Sequence, residues 1–411
     1  MKTLNVYFHG QKTGVLTQDS IGKFSFQYDP EWLQRPDAYA ISQSLPIRPE
    51  AYEEKECAGF FGGLLPEDYN RELIARNIGV TANNDYAMLK IIGGECAGAV
   101  ALLDSEHEVS VREHSYHSVS LDELESILDT LPQKPLLAGE AEVRLSLAGA
   151  QNKLAVYHDK DGFALPLHES PSTHILKPEA EAFPELVNNE AFCMRLAKRA
   201  GLPAADVEPI QIGPHRCLMV RRYDRTGEGA DLQRLHQEDF CQAMGIPSRY
   251  KYQNEGGPTL EQCFNLVRTA SARPAKDLIT LFEAVTFNYL IGNNDAHGKN
   301  FSLLYRPSED HLRVELAPLY DLVSTAAYPG LSPRMAMKIG TKYVPDDLRR
   351  RHWESFWKSV GFSPSQALRQ TRDFQDRLHQ LLPDITVTQM EEEICGIIQT
   401  RSLTLTRMLA E

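Results

Sequence analysis

An aspartate and an asparagine follow the end of an apolar segment at a spacing that suits phosphoryl transfer. Asp295 and Asn300 are separated by four residues in a polar loop that begins after Gly292. Phosphoryl transfer needs a carboxylate that orients or deprotonates the attacking hydroxyl, together with oxygen ligands for Mg²⁺. A kinase catalytic loop supplies both groups as an Asp, four residues and an Asn. The spacing therefore predicts a catalytic Asp295 and a metal-binding Asn300.

A second acidic residue, Asp321, follows two predicted strands at 301–305 and 312–316, which a loop at 306–310 joins. A hairpin here returns the chain to the Asp295 loop, where Asp321 could bridge Mg²⁺ and the ATP phosphates. Leu322 stands where the metal-binding triplet of protein kinases has Phe, so the match is one of geometry. Each residue alone is typical of a turn, but their order favours a phosphotransferase.

Two upstream features could contact the phosphates of a nucleotide. The loop 145–152 is rich in small residues, which let backbone N–H groups approach phosphate oxygens, although it is neither a Walker A motif nor the G-x-G-x-x-G loop of eukaryotic kinases. Lys177 ends an apolar strand, where a lysine can pair with ATP phosphates while a helix glutamate holds it; Glu190 is the candidate glutamate. Taken alone, the loop is typical of a turn and the lysine of a surface residue.

These residues must be positioned by elements that fall into zones. Residues 1–105 are predicted to be β-rich, with strands at 4–8, 14–16 and 23–28, a helix at 66–77 and a strand pair around 88–92 and 98–103. Residues 106–140 form a linker in which Ser120 and Glu123 make a capping box that opens a helix ending near 131.

The remaining chain suits a two-lobed enzyme. Residues 141–233 contain predicted strands at 153–157, 173–176 and 217–220, with a helix at 188–200 that Gly201 ends. Residues 234–411 are mostly helical, including a buried helix at 278–291. The fold class predicted is α+β and bilobal, like a protein kinase, with the site in a cleft.

Composition narrows the function classes. The formal net charge of −13 disfavours nucleic-acid binding by the whole surface. No apolar run approaches the roughly 18 residues that span a bilayer, and the start lacks a signal-peptide pattern, so a cytoplasmic protein is expected. Seven cysteines without C-x-x-C spacing are expected to be reduced, mostly buried thiols.

The order of the motifs resembles the HipA family of bacterial toxin kinases. The resemblance covers nearly the whole chain and lies in separated segments in the family's order: 60–67, 144–153, 174–177, 223–225, 237–239, 256–258, 294–300 and 320–321. It implies a serine/threonine protein kinase that uses ATP and Mg²⁺, with 1–105 as the family's N-terminal subdomain.

The resemblance also implies residue roles. Asp295 would be the base, Asn300 and Asp321 the Mg²⁺ ligands, and His297 and Lys299 the neighbours of the transferred phosphate. The ATP-binding residues would be Leu147, Ala148, Gly149, Lys177, Arg221 and Tyr223. Arg221 departs from the family's usual Glu, so only its backbone contact carries over. Ser146 would be autophosphorylated, which expels the phosphate loop and inactivates the enzyme.

The family implies partners as well. A HipB-like helix-turn-helix antitoxin dimer would neutralise the toxin and supply the main contacts with operator DNA. The substrate class would be an aminoacyl-tRNA synthetase, with glutamyl-tRNA synthetase expected, so that phosphorylation inhibits translation and promotes dormancy and persistence.

Three alternatives stay open. A small-molecule phosphotransferase with a kinase-like fold could use the same Asp295, Asn300 and Asp321 chemistry. A decayed kinase could act only as a repressor partner. A metal hydrolase could use Asp295, His297 and Asp321, although the sequence offers no second histidine at helical spacing.

Overall fold

A computed structural model describes residues 1–104, 114–140, 142–308, 312–382 and 388–410. The protein is of the α+β class, as predicted, and it divides into two compact units. The first unit comprises Met1–Pro178, Ile210–Arg249 and Leu304–Val314, and the second comprises Glu179–Pro209, Tyr250–Leu303 and Glu315–Glu411. Part of the predicted loop at 306–310 lies outside the described residues, as does the start of the predicted linker.

The first unit begins with an antiparallel sheet whose inner face packs on helices. Its strands are β1 (Lys2–Phe8), β2 (Gln11–Gln18), β3 (Phe24–Tyr28), β4 (Tyr52–Glu53) and β5 (Val100–Asp104), in the order β4-β3-β2-β1-β5. The helices of this region are α1 (Pro30–Leu33), α2 (Glu54–Gly63), α3 (Asp68–Asn77), α4 (Asp85–Ile92) and α5 (Leu121–Thr130). Leu4, Val6 and Phe8 alternate along β1 and are fully buried, which is the pattern of a strand with one covered face.

A second sheet carries the predicted phosphate-binding segments. It contains β6 (Tyr116–Val119), β7 (Leu154–Asp159), β8 (Gly162–Pro166), β9 (His174–Pro178), β10 (Val207–Ile212) and β11 (His215–Arg221), in the order β10-β11-β9-β7-β8-β6. Shorter pieces follow, namely β12 (Arg225–Thr226), β13 (Gln233–Arg234), β14 (His236–Asp239) and α7 (Phe240–Ala243). The strand β14 belongs to a three-stranded sheet with β15 (Ser302–Pro307) and β16 (Leu312–Leu316).

The second unit is mostly helical. Its helices are α6 (Leu186–Arg199), α8 (Leu260–Ala270), α9 (Pro274–Ile291), α10 (Arg350–Ser359), α11 (Pro364–Leu381) and α12 (Gln389–Ala410). Every residue of α9 from Leu281 to Ile291 is buried, so this helix is the core of the unit. Within the described ranges, no helix is both long enough and apolar enough to cross a bilayer.

Most predicted elements are present, and one was wrong. The helix predicted at 66–77 is α3, and both halves of the Ser120–Glu123 capping box form at the start of α5. The strand predicted at 88–92 is instead helix α4, because the Asn84 side chain accepts the Ala87 N–H at 3.0 Å and caps a helix. All seven cysteines are buried and free of disulfides, as predicted.

The packing of α2 gives a testable stability prediction. A Cβ added at Gly59 would lie 2.2 Å from the backbone carbonyl carbon of Gly245, so only glycine fits there. Gly59→Ala should lower the free energy of unfolding by at least about 2 kcal/mol, measured in urea. The control is Gly396→Ala in α12, where no atom lies within 4 Å of the added Cβ and where alanine should stabilise by about 0.5–1 kcal/mol. Equal midpoint shifts for the two variants would contradict this account.

Candidate active site

The predicted catalytic loop begins where α9 ends. Gly292 takes a left-handed conformation with φ 76°, and the Asn293 N–H then donates to the Asn288 carbonyl at 2.9 Å, which closes the last turn. A side chain at position 292 would come within 2.6 Å of Ala326 Cβ. The glycine therefore ends the helix as predicted and also allows residue 326 to approach the loop closely.

The loop presents one carboxylate outward and keeps its other polar groups inside. Asp295 is exposed, and its Oδ1 accepts a hydrogen bond from the Tyr252 hydroxyl at 2.8 Å. The Asn293 side chain accepts the Asp295 N–H at 3.2 Å and fixes the turn. The remaining predicted site residues of the loop are buried: His297, Lys299 and Asn300. An accessible carboxylate on a backbone that is fixed by hydrogen bonds suits a catalytic group that must contact a substrate hydroxyl.

Asp321 is held beside this loop within the second unit. The hydroxyl of its neighbour Tyr320 donates to the Lys299 carbonyl at 2.7 Å and in turn accepts from Ser302 Oγ at 2.7 Å. Farther along, Thr325 Oγ1 accepts the Asn294 N–H at 2.8 Å and donates to the carbonyl at position 292 at 3.1 Å. The segment 320–325 is thus bonded to both ends of the loop.

The backbone of Asp321 lies in a conformation that is rare for residues with a side chain. Its φ of 59° is in the left-handed region, where aspartate is tolerated better than most residues. Such a conformation costs about 1 kcal/mol or more and clusters at functional sites. Asn300 and Asp321, the two predicted Mg²⁺ ligands, carry an amide oxygen and a carboxylate, which are donor types that Mg²⁺ prefers.

In the first unit, the predicted phosphate loop is docked through its backbone. Ser146 is fully buried; its N–H donates to the Glu95 carbonyl at 2.9 Å and its Oγ donates to the Leu64 carbonyl at 2.7 Å. Farther along, Lys153 Nζ donates to the Ala148 carbonyl at 2.6 Å and closes the loop. The left-handed φ of 104° at 149 explains the glycine at the tip.

The lysine and the predicted adenine segment lie on neighbouring strands. Lys177 is buried on β9 and pairs with Leu218 on β11. Arg221 ends β11 with an exposed side chain, and Tyr223, two residues on, is half-buried and donates its hydroxyl to the Gln237 side chain.

The predicted site residues form two groups. The second unit holds Asp295, His297, Lys299, Asn300 and Asp321, together with Glu190, which is buried in α6. The first unit holds Ser146, Leu147, Ala148, Gly149, Lys177, Arg221 and Tyr223. The ion pair between Lys177 and Glu190 stays a prediction. Sequence reasoning gave no role to Tyr252 or Lys153; the lysine directly after the small-residue loop was a usable signal, whereas nothing marked the tyrosine.

One of the sequence motifs, at 237–239, has a structural role. The Glu238 carboxylate is fully buried and accepts hydrogen bonds from Ser42 Oγ at 2.5 Å, from the Gln43 N–H at 2.9 Å and from the Tyr305 hydroxyl. Burial raises the pKa of Glu238 to about 7. Its neighbour Asp239 caps α7. These residues hold parts of the first unit together.

Comparisons with known proteins identify relatives of this chain. The chain is 45% identical to Y4mE of Sinorhizobium fredii, which is named as a candidate kinase. The 366 aligned residues cover 88% of this chain and 86% of that protein. It is 28% identical over 397 residues to the serine/threonine-protein kinase toxin HipA of Shewanella oneidensis, which covers 93% of this chain and 89% of that one.

A solved structure and two domain families give the same result. The HipA of the Shewanella oneidensis complex of HipA, HipB and operator DNA has a TM-score of 0.79 and 26% identity, covering 98% of this chain and 96% of that chain. This match confirms the predicted kinase-like α+β fold. The HipA N-terminal domain family matches residues 4–103, and the HipA-like C-terminal domain family matches residues 145–382. The chain belongs to the HipA family of toxin kinases.

Proposed function

We propose that this protein is a protein serine/threonine kinase of the non-specific class that transfers the γ-phosphate of ATP with Mg²⁺. The observation that carries the proposal is the bond from the Tyr320 hydroxyl to the Lys299 carbonyl. Because of it, Asp321 follows a residue that is bonded to the Asp295–Asn300 loop, which supports the proposal that two carboxylates and an amide serve one reaction centre. The family membership supports the same chemistry.

Each residue then has a defined role. Asp295 accepts the proton of the substrate serine hydroxyl as its oxygen attacks the γ-phosphorus and ADP leaves. Asn300 and Asp321 would hold Mg²⁺, which would supply positive charge beside the phosphates. His297 and Lys299 stabilise the transferred phosphoryl group.

A further set of residues contacts the nucleotide in this proposal. Backbone amides of Leu147, Ala148 and Gly149 bind the phosphates, and Lys177 pairs with them while Glu190 orients the lysine. The backbone at Arg221 and the ring of Tyr223 line the adenine pocket. In this proposal residues 1–105 are the N-terminal subdomain, 106–140 a linker, 141–233 the kinase N-lobe and 234–411 the C-lobe.

The biological setting follows from the family. The substrate is a serine of an aminoacyl-tRNA synthetase, glutamyl-tRNA synthetase in the first instance, so the enzyme acts in the cytoplasm, inhibits translation and promotes persistence. Autophosphorylation of Ser146 inactivates it. A HipB-like antitoxin dimer neutralises it and provides the main contacts with operator DNA; the presence of HipB and operator DNA in the Shewanella complex supports this partner.

The test is transfer of labelled γ-phosphate to purified synthetases, to the protein itself and to small alcohols such as aminoglycosides. We expect the wild type to label itself and a synthetase, and Asp321→Ala to lose at least about 100-fold in rate because the metal loses a carboxylate ligand. The matched control is Asp206→Ala, which removes an exposed carboxylate of the second unit and should leave the rate unchanged.

Two results would count against the proposal. If small alcohols are labelled and no protein is, the small-molecule phosphotransferase would be favoured. An Asp321→Ala protein that still gained phosphate at Ser146, when purified alone with ATP and Mg²⁺, would contradict the assigned site.

A further inference from the structure

Four charged side chains are buried together in the first unit with no net charge: Glu95, Arg222, Asp224 and Arg225. Their side chains are at most 3% exposed. Arg222 forms paired bonds, with Nε and Nη2 donating to Asp224 at 3.0 and 2.8 Å and with Nη1 donating to both Glu95 oxygens at 3.0 and 3.1 Å. Arg225 also donates to Glu95 and lies 2.9 Å from Asp224.

Within this cluster the two acids stay ionised. Burial by itself would raise the pKa of both carboxyls, but attraction to Arg222 and Arg225 outweighs it and lowers the pKa of Glu95 and of Asp224. The Ser172 hydroxyl adds a further donor to Glu95 at 3.2 Å, and the Gly98 N–H donates to Asp224 at 2.8 Å. Such a network fixes its members because every bond is needed to offset the burial of charge.

The backbone of Glu95 holds the start of the phosphate loop. Its N–H donates to the Arg144 carbonyl at 2.8 Å, and its carbonyl accepts the Ser146 N–H at 2.9 Å. These two bonds flank an isolated parallel bridge between Glu95 and Leu145. The same residue therefore contacts the loop through its main chain and the arginines through its side chain.

The arginine side of the cluster belongs to the proposed adenine segment. Along 221–224 the side chains alternate: Arg221 is exposed and Tyr223 half-buried, while Arg222 and Asp224 are buried. One face of this segment is thus available to a nucleotide while the other is fixed in the charge cluster.

We propose that Glu95, a residue of the N-terminal subdomain, is a positioning residue that sets the phosphate loop and the adenine segment in register for one ATP molecule. This inference rests on the proposed function. A displacement of either segment alone would misplace one end of the nucleotide, and Glu95 bonds to both. It makes the N-terminal subdomain a part of the nucleotide site, and not only an appended module.

The test is Glu95→Gln in the full chain. We expect the KM for ATP to rise at least about tenfold while kcat at saturating ATP stays within about threefold, because ATP binding itself restores the register. Amide hydrogen exchange without nucleotide should become faster in both 144–149 and 221–225. Glu95→Asp keeps the charge but shortens the side chain, so it should fold readily and give a smaller shift of the same kind.

The matched control is Asp277→Asn in the second unit. Asp277 is also a buried carboxylate, accepting the Ser271 hydroxyl at 2.7 Å and the Leu316 N–H at 2.8 Å. Its replacement should lower stability without changing the KM for ATP or the exchange of the two segments. A purely structural Glu95 would behave like this control, and faster exchange in only one segment would overturn the inference.

Failure of the proposed function gives a different result. If the wild type binds no ATP, the kinase proposal fails, yet the exchange comparison still decides whether Glu95 joins the two segments. If the wild type is active but Glu95→Gln leaves the KM for ATP unchanged, only the positioning role is refuted.

Discussion

Asp295→Asn should lower the rate of phosphate transfer by about 10²–10⁴-fold while ATP affinity stays within about threefold of wild type. The substitution keeps the size of the side chain and removes its ability to accept a proton. Asp295 is exposed, so the folded protein should not depend on its charge. The measurements are single-turnover phosphate transfer at saturating ATP and a separate titration of ATP binding with Mg²⁺.

Tyr252→Phe is the matched control for this prediction. It removes the hydroxyl that donates to Asp295 Oδ1 at 2.8 Å but leaves the carboxylate in place. We expect a loss of about tenfold or less, because this hydrogen bond is exposed, so water can replace the hydroxyl, and a typical hydrogen bond contributes about 0.5–1.5 kcal/mol. An Asp295→Asn protein with more than a tenth of the wild-type rate would exclude the residue as the base. A large loss of ATP affinity would instead indicate that Asp295 binds the metal.

The order of elements around the catalytic loop could be predicted because the signals are local. Gly292 ends an apolar helix, and the short apolar run at 303–305 and the alternation of apolar residues along 312–316 are typical of short strands. The strand prediction at 88–92 was wrong because five residues, four of them apolar, are too few to distinguish the period of a helix from that of a strand. The buried side chains of α4 and the cap at Asn84 decided the outcome in favour of a helix.

The candidate site was only partly accessible to sequence reasoning. The sequence shows the spacing of Asp295 and Asn300 directly. It also predicts that the chain returns to this loop at Asp321, because a hairpin brings its two ends together. The hydrogen bond from Tyr252 to Asp295 joins residues 43 positions apart, and the bond from Arg222 to Glu95 joins residues 127 apart. Such pairs are fixed by tertiary packing, which leaves no pattern in one sequence.

The burial of Ser146 leads to the second large expected effect, loss of ATP binding on phosphorylation. The side chain is completely inaccessible to solvent, and its Oγ donates its hydrogen bond to the Leu64 carbonyl at 2.7 Å. A phosphoserine carries about −1.5 to −2 charges and three acceptor oxygens, and its attached oxygen can no longer donate to a carbonyl. The phosphorylated residue therefore cannot stay in this position, and the loop must leave the Glu95 and Leu64 backbone.

Protein phosphorylated at Ser146 should bind ATP at least about 1,000-fold more weakly than unmodified protein, because burial of an unpaired charge costs several kcal/mol and each 1.4 kcal/mol is tenfold. The measurement is calorimetric titration of a non-hydrolysable ATP analogue with Mg²⁺ into both forms. Amide exchange in 144–152 should become faster in the phosphorylated form.

Two variants distinguish the effect of added charge on ATP binding from the effect of losing the Ser146 hydroxyl. Ser146→Ala cannot be phosphorylated and should keep ATP binding, at a stability cost of about 1 kcal/mol for the hydrogen bond to Leu64. Ser146→Asp should weaken binding strongly, whereas Ser118→Asp, on an exposed part of β6, should not. If fully phosphorylated protein binds the analogue as tightly as Ser146→Ala, then the docked loop tolerates the charge. Phosphorylation of Ser146 would then be no switch, because the bond from the backbone N–H at 146 to the Glu95 carbonyl would persist in both forms.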